Sequence, residues 1–201
     1  MMSGVIEKFG ELLVQNKVIS LEEKELFIFG LQQGLIMILN VISSIIVGYL
    51  FGMVWQSIVF LAMYIPLRSY VGGYHARTQL RCYLFSMVLI SLVLWGIKLI
   101  PWTSFICMVV SMVMGVIIFL FSPRADENKP LDEIETVVFR KRARGIYLVQ
   151  ELLLVILLIF GWIDIAACFT MTFVAMAFMI FLDILKEVLH INKRDEYADE
   201  Q

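Results

Sequence analysis

The chain's strongest candidate for chemistry is a cysteine that follows a histidine by seven residues, Cys82 after His75. A cysteine attacks as its thiolate, and a neighbouring base or positive charge favours that form. His75 can act as the base, while Arg77 and Arg81 bring positive charge to the same stretch. These residue types are the ones that a nucleophilic thiol requires. The alternative is a Gly-containing hairpin whose basic residues fix the topology and whose cysteine packs as a small hydrophobic side chain.

The spacing of the two residues places a demand on the backbone between them. In one continuous helix His75 and Cys82 would share a face, because seven residues are nearly two turns, but their Cα atoms would lie about 10 Å apart. That separation is too long for a hydrogen bond between imidazole and thiol. We therefore predict a bend or a loop in this interval. Gly72 and Gly73, just before the histidine, permit backbone conformations that are closed to other residues.

The elements that must position this segment are membrane helices. Apolar residues make up 61% and charged residues 17% of the 201 positions, whereas a soluble domain is about half apolar and a quarter charged. Apolar runs long enough to span a bilayer predict six helices, and no run alternates as a membrane strand would. The spans lie near 27–51, 53–67, 82–100, 104–121, 146–163 and 165–185. The sequence thus predicts an all-α polytopic membrane protein.

Positive charge predicts the orientation of these spans. Consecutive spans place the connections between them alternately on the two sides of the membrane. Of the 16 Lys and Arg residues, 15 lie in termini and connections on one side, and only Lys98 lies in a connection on the other side. Because cytoplasmic loops carry the excess of Lys and Arg, both termini, the loop 123–145 and the catalytic loop 68–82 are predicted to be cytoplasmic. The whole chain, 1–201, is then a single integral membrane domain. An amphipathic pattern over 4–16 predicts an additional helix in the membrane interface.

Polar residues elsewhere in the chain favour packing or topology over chemistry. Glu151 and Asp183 lie in or near apolar spans and are interpreted as packing residues, and Cys107 and Cys168 as structural thiols. Acids at the start and bases at the end of 130–144 predict a short helix that leads into the fifth span. Its bases could bind an acidic peptide, or fix topology and contact anionic lipid. They are Arg140, Lys141, Arg142 and Arg144.

The run RSYVGGYHARTQLRC over 68–82, between the second and third of six spans, resembles the accessory gene regulator B (AgrB) family. Members of that family are membrane cysteine endopeptidases that process autoinducing propeptides in Gram-positive quorum sensing. The chain length, the amphipathic N-terminus and the charged, proline-containing loop before the fifth span are also similar. The resemblance therefore covers most of the chain.

The resemblance implies roles for individual residues. The family's histidine falls on His75 and its nucleophilic cysteine on Cys82. Three more family-typical positions fall on Arg68, Gly72 and Gly73. A third catalytic group is not defined by the motif. Gln79 or Ser86 could orient the imidazole, and Arg77 could support the site or bind substrate. No metal or cofactor is expected.

The implied activity is cleavage of the C-terminal part of a propeptide through a thioester, with cyclisation to a thiolactone or lactone. The implied partner is a short propeptide with an amphipathic N-terminal helix and an acidic C-terminal tail. The implied location is the cell membrane of a Gram-positive bacterium, as a multi-pass protein. We also expect contact with membrane lipid and none with nucleic acid, and the chain's size admits a homodimer.

Two other functions fit most of the same sequence features. One is a non-enzymatic membrane exporter of a small peptide, and a weaker one is a membrane scaffold without a ligand. The exporter and the protease differ at Cys82, since an exporter would tolerate Cys82→Ser whereas a thiol protease would not.

Overall fold

The structure is a computed structural model, and it describes residues 11, 14, 20, 23–74, 78–124 and 132–199. These residues form six helices and no strand, with one isolated bridge between Gly72 and Arg124. The helices are α1 (Glu23–Leu50), α2 (Val54–Val71), α3 (Gln79–Leu99), α4 (Ser104–Phe121), α5 (Glu133–Ile159) and α6 (Ile163–Asp199). The predicted all-α class is confirmed.

Polar side chains explain where several helices begin. Asp132 and Glu135 form a capping box at the start of α5, in which the Glu135 N–H donates to the Asp132 carboxylate at 2.6 Å. Thr78 and Thr103 cap α3 and α4 by accepting a backbone N–H on their hydroxyls. The helix predicted over 130–144 and the predicted fifth span are therefore one helix, whose charged start continues into an apolar half.

The chain divides into two compact units, residues 1–44 and 45–201. In the first unit, Lys24 and Glu11 form an ion pair of 3.5 Å. The amphipathic helix predicted over 4–16 lies outside the described residues, except for positions 11 and 14. The second unit contains all the described residues of the predicted catalytic loop.

Helix α6 forms the core of the second unit. It packs against α2, α3, α4 and α5, and most of its residues between Ala166 and Ile180 are buried. Alanines at 166, 167, 175 and 177 are buried, and small residues at these positions allow neighbouring helices to approach closely. The buried hydroxyls of Thr170 and Thr172 donate to carbonyls one turn earlier, at 3.0 and 2.9 Å. Helix α6 is thus the surface on which the other elements of the unit assemble.

Four helical stretches in the described part are long and apolar enough to cross a membrane. They are Gly30–Leu50, Leu80–Leu99, Ser104–Phe121 and Ile163–Leu189, and they overlap four of the six predicted spans. The other two predicted spans fall on α2, which contains Arg68, and on α5, which contains Glu151 and the basic residues that precede it. Large apolar side chains such as Leu99, Phe105 and Leu152 are exposed on α3, α4 and α5, as is typical of a surface that contacts lipid.

Candidate active site

Cys82 lies in the first turns of α3, with its side chain half-buried. The helix begins at Gln79, and its N-cap, Thr78, accepts the Arg81 N–H on its hydroxyl at 3.3 Å. The Cys82 N–H donates to the Thr78 carbonyl at 3.0 Å. A helix N-terminus carries partial positive charge. The local structure therefore places Cys82 near the positive end of the helix dipole.

The backbone before Cys82 is not one continuous helix. Thr78 is extended, with φ −129° and ψ 148°, so the helix does not continue back from Gln79 towards position 75. The prediction of a break between the histidine and the cysteine is thereby confirmed. His75 and Arg77 lie outside the described residues, as does the side chain of Gln79, and their catalytic and supporting roles stay predictions.

Arg68 shapes the turn that precedes the histidine, which we call the Gly-Gly turn (Gly72, Gly73 and Tyr74). The arginine occupies the last turn of α2, and its guanidinium donates to the carbonyls of all three residues of the turn. The distances are 3.2 Å to Gly73 and 2.6 Å to Tyr74. A planar guanidinium has five N–H donors in a fixed fork, which suits several acceptors at once. In this structure, then, the family-typical arginine binds backbone of its own chain.

Both glycines of the turn are required by the backbone conformation and by close neighbours. Gly72 has φ 75° and Gly73 has φ 108°, where side chains are strongly disfavoured. A Cβ atom at Gly72 would lie 2.1 Å from the Arg124 carbonyl oxygen, and one at Gly73 would lie 3.2 Å from the Met179 carbonyl. The Gly-Gly pair therefore lets the chain pass between α6 and the segment that follows α4.

Tyr74 connects the Gly-Gly turn to both α6 and α3. Its N–H donates to the Met179 carbonyl of α6 at 3.1 Å. Its ring packs on Phe85 with centroids 5.5 Å apart, and Phe85 is three residues after Cys82, on the same side of α3. The phenol of Tyr64 on α2 is close enough to Arg68 and Cys82 to interact electrostatically with both. The turn and the thiol thus belong to one local cluster.

Ser86, a candidate for the third catalytic group, lies one turn after Cys82. Its hydroxyl donates to the Cys82 backbone carbonyl at 3.0 Å. The hydroxyl proton is therefore already engaged within α3, and Ser86 could take part only as an acceptor in this conformation.

The other two cysteines are in different surroundings from Cys82. Cys107 and Cys168 are buried, with 0% and 1% of their surfaces exposed, and all three thiols are free. Cys82 is therefore the most accessible of the three.

Two of the four bases at the start of α5 contact neighbouring helices. Arg142 lies over the Tyr70 ring at 5.4 Å and donates to its hydroxyl at 3.3 Å. Arg144 lies over the Phe119 ring at 4.0 Å and donates to the Phe119 carbonyl at 3.0 Å. Arg140 and Lys141 are exposed. The side chains of Arg140 and Lys141 are therefore more available to an acidic ligand or a lipid headgroup than those of Arg142 and Arg144, which contact neighbouring helices.

Arg124 is a residue near the site that the sequence interpretation missed. Its guanidinium donates to Asp183 at 2.7 Å and to Glu187 at 2.5 Å. Burial opposes its charge, but hydrogen bonds and electrostatic attraction from the two acids raise the pKa of Arg124 above its ordinary value. The sequence gives one signal for this contact, since Asp183 and Glu187 lie one turn apart near the end of an otherwise apolar helix.

Comparison with known proteins identifies the family. The family model described as Accessory gene regulator B matches residues 6–182. A Clostridium acetobutylicum protein is 28% identical over 135 residues, which are 64% of this chain and 64% of that protein. A Clostridium perfringens protein is 29% identical over 156 residues, 70% of this chain and 72% of that protein. Both have names that go no further than AgrB-like.

The chain therefore spans just under two thirds of the length of the first relative and somewhat more of the second. No solved structure matches the chain. The matched region contains the whole of the candidate active site, from Arg68 to Ser86, and most of the apolar helices. The chain is a multi-pass membrane protein that belongs to the accessory gene regulator B (AgrB) family, which is linked to the processing of autoinducing peptides in quorum sensing.

Proposed function

We propose that this chain is a membrane cysteine endopeptidase that cleaves the C-terminal part of an autoinducing propeptide and supports its cyclisation. The observation that carries the proposal is the position of Cys82. Its half-buried thiol is near the N-terminus of a helix and beside a turn whose three carbonyls are held by Arg68. A thiol in such a position can be activated without a metal or cofactor.

In the first step, His75 takes the proton of the Cys82 thiol, and the thiolate attacks the carbonyl of the scissile peptide bond. The new C–S bond forms as the C–N bond breaks. His75 returns the proton to the leaving amine, so the acidic C-terminal fragment departs as a free peptide. The product is a thioester between Cys82 and the remaining propeptide.

In the second step, a cysteine or serine inside the bound peptide attacks this thioester. The ring closes as a thiolactone or a lactone, and the Cys82 thiol is regenerated. The internal nucleophile must react before water does. A site at the membrane boundary excludes water, and a held peptide gives its own nucleophile a high effective concentration.

The proposed arrangement in the membrane follows from charge and hydropathy. We place six spans across the bilayer of a Gram-positive cell, including α2 and the apolar half of α5, with both termini cytoplasmic. The propeptide then meets Cys82 on the side where it is made. Arg140 and Lys141 are exposed on α5 and would attract its acidic tail, while the amphipathic part of the peptide lies in the interface.

The experiment that tests this function is peptide cleavage in reconstituted liposomes. The probe is a synthetic peptide with an amphipathic helix, a cysteine-containing core and an acidic tail, taken from a reading frame beside the gene of this chain. We expect the wild-type protein to release the C-terminal fragment, and Cys82→Ala, Cys82→Ser and His75→Ala to release none. Cys107→Ser is the matched control, because it removes a buried thiol on a different helix, α4.

Two outcomes would contradict the proposal. Undiminished release by Cys82→Ala would remove the nucleophile from the mechanism. Transport of the intact probe across the liposome by the wild type and by Cys82→Ser alike, without cleavage, would instead support a peptide exporter.

A further inference from the structure

Arg124 joins two acids of α6 to a segment that is distant in sequence. Its Nε donates to Asp183 Oδ2 at 2.7 Å, and its Nη2 donates to Glu187 Oε2 at 2.5 Å. The acids are four residues apart, so they share one face of the helix, and like charges at this spacing repel each other. The guanidinium between them offsets that repulsion and attaches Arg124 to α6.

The backbone of Arg124 holds the other side of the contact. Its N–H donates to the Val71 carbonyl at 2.8 Å, and the two segments form a bridge at Gly72. The Arg124 carbonyl is so close to Gly72 that a Cβ atom there would lie 2.1 Å away. One residue therefore binds α6 with its side chain and the start of the Gly-Gly turn with its main chain.

The far end of the turn is fixed to the same helix. The Tyr74 N–H donates to the Met179 carbonyl at 3.1 Å, and Met179 is one turn before Asp183. Together these contacts form a closed ring. It runs from Val71 to Arg124, from Arg124 to Asp183 on α6, from Met179 on α6 to Tyr74, and back along the chain to Val71. His75 is the next residue in the chain, so its backbone starts from the point where this ring closes.

We propose that Arg124 is a positioning residue, whose ion pair with Asp183 holds the Gly-Gly turn against α6 and so orients His75 for reaction with Cys82. This inference rests on the proposed function. Arg124 contacts the start of the turn and α6, and in this proposal it acts through the turn. Asp183 is the main partner because its side chain is 14% exposed, whereas that of Glu187 is 60% exposed and an exposed pair contributes little.

The test measures two properties of the full-length protein in liposomes. The first is hydrogen exchange in the peptide that contains Tyr74. The second is release of the C-terminal fragment from the same synthetic propeptide. The variants are Arg124→Gln, Asp183→Asn, Glu187→Gln and the charge exchange Arg124→Asp with Asp183→Arg. Lys98→Gln is the matched control, since it also removes one positive charge but lies at the opposite end of α3.

For Arg124→Gln and Asp183→Asn we expect exchange at Tyr74 to rise roughly tenfold, as for loss of a hydrogen bond to a charged group. We expect kcat to fall roughly tenfold to a hundredfold with KM little changed, because small misplacements of reacting groups have effects of that size. Glu187→Gln should have a smaller effect on both. The double variant Arg124→Asp with Asp183→Arg should recover most of the lost rate, because it restores the ion pair with its charges exchanged. If Arg124 were needed only for its shape, the rate would not recover.

Unchanged exchange at Tyr74 in Arg124→Gln would overturn the inference, and so would raised exchange with an unchanged cleavage rate. A charge exchange no more active than Arg124→Gln would also overturn it. Failure of the proposed function gives a different result: the wild type and Lys98→Gln would then release no fragment, whatever the exchange data show for the turn.

Discussion

The Arg68 guanidinium, in the last turn of α2, donates a hydrogen bond of 2.6 Å to the backbone carbonyl of Tyr74, at the far end of the Gly-Gly turn. The same side chain also donates to the carbonyls of Gly72 and Gly73. Three carbonyls that point towards one guanidinium fix the path of the chain immediately before His75. Arg68 therefore supports the proposed active site through the backbone.

The first prediction is that Arg68→Lys reduces activity even though it keeps the positive charge. A lysine ammonium is a compact charge without the planar fork that reaches several carbonyls. We expect the rate of propeptide cleavage to fall roughly tenfold or more, by the cost of one or two hydrogen bonds to a charged group. Arg81→Lys is the matched control, because the Arg81 side chain is exposed. Equal rates for both variants would show that Arg68 contributes charge alone.

The second prediction concerns Gly72→Ala. A Cβ atom there would lie 2.1 Å from the Arg124 carbonyl, at a φ of 75°. We expect the variant to lose about 1–3 kcal/mol of stability, the usual cost of overpacking, and to lose cleavage with it. Thermal unfolding in detergent measures the first effect and fragment release the second.

Gly145→Ala is the control for this prediction. Gly145 lies inside α5, and a Cβ atom added there would have no neighbour within 4 Å. The substitution should therefore leave activity unchanged and raise stability by about 0.5–1 kcal/mol. If Gly72→Ala unfolded at the same temperature as the wild type, the close packing of the turn against Arg124 would be refuted.

Much of the fold could be predicted because hydropathy and charge are local properties. The apolar runs predicted helices, and the acids at the start of 130–144 predicted the charged beginning of α5, where Asp132 and Glu135 form the capping box. The break between His75 and Cys82 was predictable as well, since only a bend brings residues at that spacing within hydrogen-bond distance.

The tertiary contacts of the site could not be predicted in the same way. Arg124 and Asp183 are 59 residues apart, and nothing in either segment alone specifies the pairing. Arg124 is the partner that the helix packing brings to Asp183. Likewise, Gly73 could be predicted to allow a turn, whereas its contact with the Met179 carbonyl depends on where α6 lies.

The third prediction is that the three cysteines differ in reactivity. Cys82 is half-buried at a helix N-terminus, whereas Cys107 and Cys168 are buried. We expect iodoacetamide to alkylate Cys82 at least about tenfold faster than either buried thiol, because alkylation needs an accessible thiolate. Mass spectrometry of the labelled protein gives all three rates in one sample. His75→Ala should slow Cys82 alone, and uniform labelling of the three thiols would contradict both the burial and the proposed pairing.

The last prediction distinguishes packing from chemistry at Glu151. A carboxyl group within an apolar helix is a functional candidate by default, but here Glu151 accepts from the Ser111 hydroxyl at 2.9 Å. Glu151→Gln keeps an acceptor for this hydroxyl, so we expect unchanged cleavage and little change in unfolding temperature.

Glu151→Ala removes that acceptor. The Ser111 hydroxyl can still donate to the Met108 carbonyl at 3.0 Å, so the loss of its bond to Glu151 is partly offset. We expect a loss of about 1 kcal/mol in stability, measured by thermal unfolding in detergent. A folded, stable Glu151→Gln protein without cleavage activity would instead place Glu151 in the reaction, because the amide preserves the packing and removes only the ability to ionise.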